Sequence, residues 1–423
     1  SNGWTAWIAI RNNDAEQYTD AMVNYYEENG SLCQSLPVYG IPPNGTELVI
    51  APPDFAGWAV VVSDRDTSAA VVETDTYRSA AYTGQSQEGG DYNWEAVGID
   101  TYLSHVYHDY YGFTSDLHIV NVGNYPSDVT VYYYDTSGNL VSEDNHLSVP
   151  RNSLLTIQPS TGSNFYGSAH IYSQGHQPLA VLSDALHQDG DIDFNNTALR
   201  GAGEVWLPYL IRPEYWGWRS CFTARNLDTA ETATLTITYF WADDSYTETR
   251  SVAPNGTATF CQSDSAYNGI LPSGCLAAKV STTSSEGVAV TINMDNPSAG
   301  RHMSYSSVGQ PSNTVVFPHV AKNATIAGKQ WMSGLVIQNT GDANADMTCR
   351  FYNSGGTEVA VLTQSDVPAG YHWSIYLGNV GLSNGFEGSA VVTSNKPLAT
   401  TGNATCTAYC SGDIVYAYNG VNR

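Results

Sequence analysis

A pattern of roughly 105 residues recurs four times head to tail in this chain of 423 residues. Each copy carries a short alternating run that ends on asparagine, at Asn12, Asn121, Asn226 and Asn339. The intervals are 121 − 12 = 109, 226 − 121 = 105 and 339 − 226 = 113 residues. Self-similarity at a fixed period limits the chain to repetitions of one fold, and tandem arrays serve reach, stacking or adhesion before chemistry. The copies divide the chain at 1–100, 101–203, 204–312 and 313–423.

Four and two residues before each asparagine stand apolar pairs: Ile8 and Ile10, Leu117 and Ile119, Phe222 and Ala224, Leu335 and Ile337. A period of two buries one face of a β-strand. A second alternating run follows each asparagine and culminates in Tyr25, Tyr133, Tyr239 or Phe351, and the turn formers between the runs suit an antiparallel connection. Further on, an apolar residue leads into a proline turn: Ile41-Pro42, Val149-Pro150, Val252-Ala253-Pro254 and Val367-Pro368. Proline cannot donate to a ladder, so these positions end strands. A later strand is announced by Gly57, Gly167, Gly274 or Gly388 and a following Ala-x-Val/Ile. Many short strands with turn signals every 8 to 12 residues, and no sustained helical period, predict an all-β chain. The expected architecture is four tandem antiparallel immunoglobulin-like β-sandwich domains.

With 41 acidic residues against 16 basic ones the formal net charge is −25. That field repels nucleic acid and anionic lipid surfaces. Only 13% of residues are charged, so the solvated faces are mostly neutral and polar, as on exported β-proteins. No run of 18 apolar residues occurs, which excludes a membrane-spanning helix. The chain starts at Ser1 without a charged-then-apolar leader, which fits a processed, secreted product at the cell surface.

Asn-x-Ser/Thr acceptors at Asn29, Asn44, Asn195, Asn255, Asn323 and Asn403 are glycosylation candidates. Seven cysteines cluster in the third and fourth copies, which points to local bridges in an oxidising compartment, for example Cys261 to Cys275 or Cys406 to Cys410. The odd total leaves a thiol over, and Cys33 is the isolated one.

Copies two to four open with an apolar-Pro-x-apolar strand or its degenerate form: Leu103-Ser104-His105-Val106, Leu207-Pro208-Tyr209-Leu210 and Phe317-Pro318-His319-Val320. The first, third and fourth close on a tyrosine among small and polar residues, Tyr82, Tyr305 and Tyr418. Across nearly its whole length the chain thereby resembles the tandem immunoglobulin-like surface repeats of exported proteins of filamentous bacteria such as the Chloroflexota. The resemblance implies an extracellular sandwich array and supplies no catalytic residue.

The first copy has no counterpart of the opening strand, so its sheet edge is expected to be open to strand addition. The residues expected to carry assembly are Trp4, Trp7, Ile8 and Ile10 at the chain start and Ile414, Val415, Tyr416 and Tyr418 near the chain end. Head-to-tail docking of such ends yields a homopolymer. A local loop capping the same edge is the alternative.

Chemistry is thinly represented. Asp189, Asp191, Asp193 and Asn195 place oxygen ligands at every second position, which on a loop could gather a Ca²⁺ ion and on a strand would share one solvent face. Beside Asp109, His105 and His108 are three apart and face opposite sides of a strand, so zinc binding is not expected, and His118, His170 and His176 read as packing or surface residues. Serine-hydrolase, zinc-protease and phosphate-loop motifs are absent. Ten tryptophans suit either junction packing or stacking on sugars. The sequence therefore predicts a non-enzymatic extracellular structural protein, the subunit of a surface filament or sheath. A carbohydrate-binding adhesin and an extracellular hydrolase are the rival readings.

Overall fold

The computed structural model describes residues 4–75, 77–84, 97–188, 192–197, 199–212, 217–242, 244–410 and 412–423. The first copy forms β1 (Thr5–Asn12), β2 (Thr19–Tyr26), β3 (Leu32–Ile41), β4 (Thr46–Ile50), β5 (Trp58–Ser63), β6 (Thr67–Thr74) and β7 (Ser79–Thr83). After the short β8 (Val97–Gly98), the second forms β9 (Asp100–His108), β10 (Phe113–Asn121), β11 (Ser127–Asp135), β12 (Leu140–Val149), β13 (Leu154–Ile157), β14 (Phe165–Ser173), β15 (Leu179–His187) and β16 (Ile192–Thr197). The third forms β17 (Glu204–Arg212), β18 (Arg219–Asn226), β19 (Ala233–Trp241), β20 (Asp244–Val252), β21 (Thr257–Cys261), β22 (Gly274–Thr282), β23 (Val288–Asn296) and β24 (Arg301–Ser306). The fourth forms β25 (Ser312–Ile326), β26 (Lys329–Asn339), β27 (Ala345–Asn353), β28 (Glu358–Val367), β29 (His372–Tyr376), β30 (Phe386–Ala408), β31 (Val415–Asn419) and β32 (Val421–Asn422). The chain is all-β, and its ladders are antiparallel, as the alternating patterns require.

One pair of strand orders recurs. The second copy gives sheets β12-β11-β14-β9 and β13-β10-β15-β16, and the third gives β20-β19-β22-β17 and β21-β18-β23-β24. In the fourth the same orders merge, because the 23-residue β30 serves both and the β25–β26 hairpin joins them. The first copy has β4-β1-β6-β7 in full, but its other sheet stops at β3-β2-β5. The place that β9, β17 and β25 take beside β14, β22 and β30 is filled beside β5 by no described residue. Apolar side chains from each copy's strands gather in a core, such as Ile8, Ile10, Val23 and Tyr25 in the first and Leu117, Ile119, Val131 and Tyr133 in the second. Two compact units result: Ser1–Gly84 with Pro311–Arg423, and Gln85–Gln310.

The repeated asparagine is fully buried in every copy and ties three backbone segments together. Asn121 donates from Nδ2 to the carbonyls of Tyr125 (2.9 Å) and Val149 (3.0 Å) and accepts the Gly123 N–H at Oδ1 (3.0 Å). Asn339 does the same with Ala343 (2.8 Å), Val367 (2.9 Å) and Gly341 (2.9 Å). Asn12 takes Gln17, Ile41 and Asp14, and Asn226 takes Glu231, Val252 and Asp228. One acceptor is always the carbonyl of the apolar residue ahead of the proline turn. Two sequence signals about thirty residues apart thus report one contact.

The opening motif and the closing tyrosine are linked in the same way. Leu103 lies opposite Ala169 and Val106 opposite Gly167, so Ser104 and His105 together face one residue. Pro208-Tyr209 and Pro318-His319 repeat this two-against-one bulge. Proline is tolerated there because a bulge frees a ladder position from donating. Tyr305 donates its hydroxyl to the Tyr209 carbonyl (2.5 Å) and accepts the Tyr209 N–H (3.0 Å), and Tyr418 donates to the His319 carbonyl. His105 and His319, in the bulge, are 4% and 1% exposed, and burial pushes both imidazoles down to about 4.

Two outcomes are expected. Asn121→Ala leaves two buried carbonyls without their donor and should lower stability by about 3 kcal/mol, read as a lower urea midpoint at unchanged slope. Because the folded His105 stays neutral while the unfolded chain takes up the proton, its contribution to stability is full above pH about 6.5. It falls as pH drops from there toward 4 and is level below. Urea titrations between pH 7 and 4 should show this loss in the wild type and a flatter profile in His105→Gln.

Candidate assembly surfaces

Within Gln85–Gln310 the turn after β11 enters the turn before β21. Thr257 N–H donates to the Thr136 carbonyl at 3.0 Å, and a Cβ built on Gly138 would lie 1.9 Å from the Pro254 carbonyl. Within the other unit the turn after β27 enters the turn before β4 in the same manner. Thr46 N–H donates to the Ser354 carbonyl at 3.1 Å, and a Cβ on Gly356 would lie 1.9 Å from the Pro43 carbonyl. Gly138 and Gly356 also have φ of +87° and +77°, so both positions demand glycine twice over. The last strands meet in both cases, β16 on β24 and β31 on β7. Copy four therefore docks on copy one as copy two docks on copy three.

A buried arginine sits in each junction. Arg225 is fully buried between the rings of Tyr134 (4.9 Å) and Tyr102 (5.2 Å), with Asn255 accepting at 3.4 Å. Arg11, 1% exposed, donates to Ser389 (3.0 Å), Asn13 (2.8 Å) and Asn44 (3.0 Å), and stands 5.4 Å from the Tyr352 ring. Desolvation lowers both guanidiniums to about 10, and the aromatic faces offset part of that cost. Neither residue was singled out by sequence reasoning. The available signal was an arginine directly before the repeated asparagine in the odd copies alone, where Val120 and Gln338 stand in the even ones.

The expected assembly residues are brought together within one unit. Trp7 is fully buried with its ring 6.0 Å from Trp331 and 6.4 Å from His319, and Trp4 lies under Arg78 at 4.8 Å. Ile8 and Ile10 face the first copy's core. The C-terminal run is engaged within its own chain. β31 pairs with β30, and Ile414, Val415, Tyr416 and Tyr418 are all under 5% exposed. Ser79 N–H donates to the Asp413 carbonyl (3.1 Å), Thr83 to that of Asn419 (2.6 Å), and Arg423 bonds Asp66 (2.7 Å). Chain start and chain end thus meet in the same molecule.

The remaining candidates scatter. Cys406 bonds Cys410, but Cys261 bonds Cys221 rather than Cys275, because β18 and β21 set Cys221 directly opposite Cys261. Cys275 lies on β22 opposite Ile211, and Cys33 is exposed. Asn29 is exposed; Asn44, Asn323 and Asn403 are half-buried, and Asn255 is 9% exposed. Asn44 and Asn255 have φ of +60° and +57°, so their Asn-Gly-Thr signals are explained by turn geometry at the junctions. Asp189 and Asp191 lie outside the described residues, while Asp193 and Asn195 fall in β16. No metal-binding cluster of His, Cys, Asp or Glu occurs among the described residues. His118 pairs with Asp184 (3.2 Å) and His170 with Asp100 (2.7 Å), each across a ladder, and His108 contacts Thr161 (3.2 Å).

No family model and no curated protein sequence matches the chain. Among solved structures it is similar to the Thermotoga maritima 1070 crystal structure, with 18% identity and a TM-score of 0.22 over 27% of this chain and 97% of that one. It is similar to the Anabaena sensory rhodopsin transducer at 18% identity and TM-score 0.18, over 23% of this chain and 98% of that one. The major pilin from Streptococcus pyogenes aligns at 9% identity and TM-score 0.14, over 76% of this chain and 98% of that one. Likenesses of this strength carry no inference about activity or partners.

Proposed function

We propose that this chain is an extracellular structural protein of four immunoglobulin-like β-sandwich repeats, of the kind seen in exported Chloroflexota-type surface proteins. In this reading it is the non-enzymatic subunit of a surface filament or sheath, assembled head to tail, with the first repeat completed by a strand from outside. One observation carries the reading. Copy four holds copy one through the contacts by which copy two holds copy three, although no adjacent peptide joins the fourth to the first. A contact made without a local covalent link can be exchanged between molecules, and exchange of a heterologous contact propagates into a fibre unless it closes. Concentration decides between closure within a chain and exchange between chains.

Two disulfides fit an oxidising setting. No helix among the described residues is long and apolar enough to cross a membrane. A glycan-binding adhesin is the second reading, favoured by exposed tyrosines such as Tyr39, Tyr111, Tyr125 and Tyr409. Against it, among the described residues no tryptophan stands with the exposed large apolar residues, while Trp7, Trp206 and Trp331 are buried.

Gly356→Ala places a methyl group against the Pro43 carbonyl and should abolish docking of copy four on copy one. The test is refolding at high protein concentration, followed by light scattering and negative-stain microscopy. Fibres in the wild type and their loss in Gly356→Ala are expected. A wild type that stays monomeric throughout would sink the filament, and specific retention on a glycan array would then favour the adhesin.

A further inference from the structure

One outer sheet edge, in copy three, differs from the three edges equivalent to it. β3, β12, β20 and β28 each end the sheet that contains β2, β11, β19 or β27. Three of them carry devices that blunt a free edge. β3 contains Pro37, and β3, β12 and β28 each break register with their neighbour twice, through irregularities that twist an edge away from a flat ladder. β20 has neither. Its pairing with β19 runs unbroken from Ala233 opposite Val252 to Trp241 opposite Asp244, and it contains no proline. No backbone group of residues 245–251 bonds a described segment other than β19, so along this edge every second residue turns its N–H and carbonyl outward.

The side chains of this edge complement themselves. Glu248 and Arg250 stand on either side of Thr249. An antiparallel strand of the same sequence, related by a two-fold axis through Thr249, sets Glu248 opposite Arg250 of the partner subunit and Arg250 opposite Glu248 of the partner subunit. Thr247 then faces Ser251 and Tyr246 faces Val252, and Pro254 stops the ladder beyond. Both charged groups are held in place: Glu248 accepts the Tyr267 hydroxyl at 2.5 Å, and Arg250 stands 5.3 Å from the Phe260 ring. Neither joins an ion pair among the described residues, and Thr247, Thr249, Arg250 and Ser251 are exposed.

We infer that β20 is a pairing edge for β20 of a second copy of this chain, joined antiparallel about a two-fold axis at Thr249. Two four-stranded sheets thereby become one continuous sheet. Main-chain ladder bonds supply the affinity, and the two Glu–Arg pairs fix the register. The same patch serves both partners, so the contact closes at two chains. It lies in copy three and uses neither copy one nor copy four, which makes it independent of the head-to-tail reading.

Sedimentation equilibrium of the full chain over a concentration series, with amide hydrogen exchange at both ends of the series, tests this. A monomer–dimer equilibrium is expected, with protection of β20 amides that rises with concentration. Thr249→Lys, a change on the exposed face, sets two lysines opposite each other and should abolish the dimer. Arg250→Glu turns two attractive pairs into repulsive ones and should weaken it by about thirtyfold. Glu248→Arg combined with Arg250→Glu restores both pairs with exchanged signs and should recover dimerisation. A chain that stays monomeric throughout overturns the inference, as does a dimer that Thr249→Lys leaves intact or an exchanged pair that folds and stays monomeric. Where urea titration shows either charge variant unfolded, Thr249→Lys alone decides. Dimers that persist in Gly356→Ala and vanish in Thr249→Lys support the β20 contact. Association with the opposite dependence belongs to docking between copies four and one and overturns it.

Discussion

The buried asparagine at the end of the second strand position is the contact on which the rest of the fold depends. A strand that ends inside a protein leaves carbonyls and N–H groups of the next turn without partners, and each such group is costly to bury. A single amide side chain meets three of them at once. Its oxygen takes the N–H two residues on, and its nitrogen takes a carbonyl of the connecting turn and the last carbonyl of a strand about thirty residues away. Aspartate has no donor for the two carbonyls, and glutamine is one methylene too long for the i+2 acceptance. The residue type is thus dictated by geometry, and that is why it marks the period so clearly.

Features fixed by local periodicity were legible in the sequence. The alternating pairs before each asparagine, the proline turns and the later Ala-x-Val strands all appear where expected, because each depends on one face of one strand. Features that depend on which strands become neighbours were not. Cys261 has Cys275 nearby in sequence, yet its bond goes to Cys221, forty residues away, because β21 pairs with β18 and β22 belongs to another sheet. Arg11 and Arg225 looked like ordinary polar residues on strands. Their burial follows from a neighbouring copy that brings tyrosine rings over them, which a single copy's pattern does not encode. The Asn-Gly-Thr runs at 44 and 255 also have a structural role that a single copy does not reveal, since they form the turn that receives the neighbour.

Two kinds of stabilisation separate the copies. Docking through glycine turns, buried arginines and last strands is shared by both units. The opening strand is a different matter. It seals the core of the copy to which it belongs, and in copy three it also arrives directly from the neighbour on which that copy docks. β16 packs on β24 and then leads within six residues into β17, so junction and closure are made by one stretch of backbone.

Copies one and four depart from this arrangement in different ways. Copy one docks on copy four, and beside its β5 no described residue takes the place of an opening strand. Along that edge Val62 is exposed, and Ala59, Val61, Ala69 and Val71 are half-buried. The two junctions also differ in the length of chain they close. Arg11 and Ser389 are 378 residues apart, whereas Arg225 and Tyr134 are 225 − 134 = 91 apart. On the logarithmic dependence of loop entropy the difference is only about 1 kcal/mol if the intervening chain were flexible. The contacts of Arg11, Gly356 and β7 therefore close over a far longer stretch of chain than those of Arg225 at little added entropic cost.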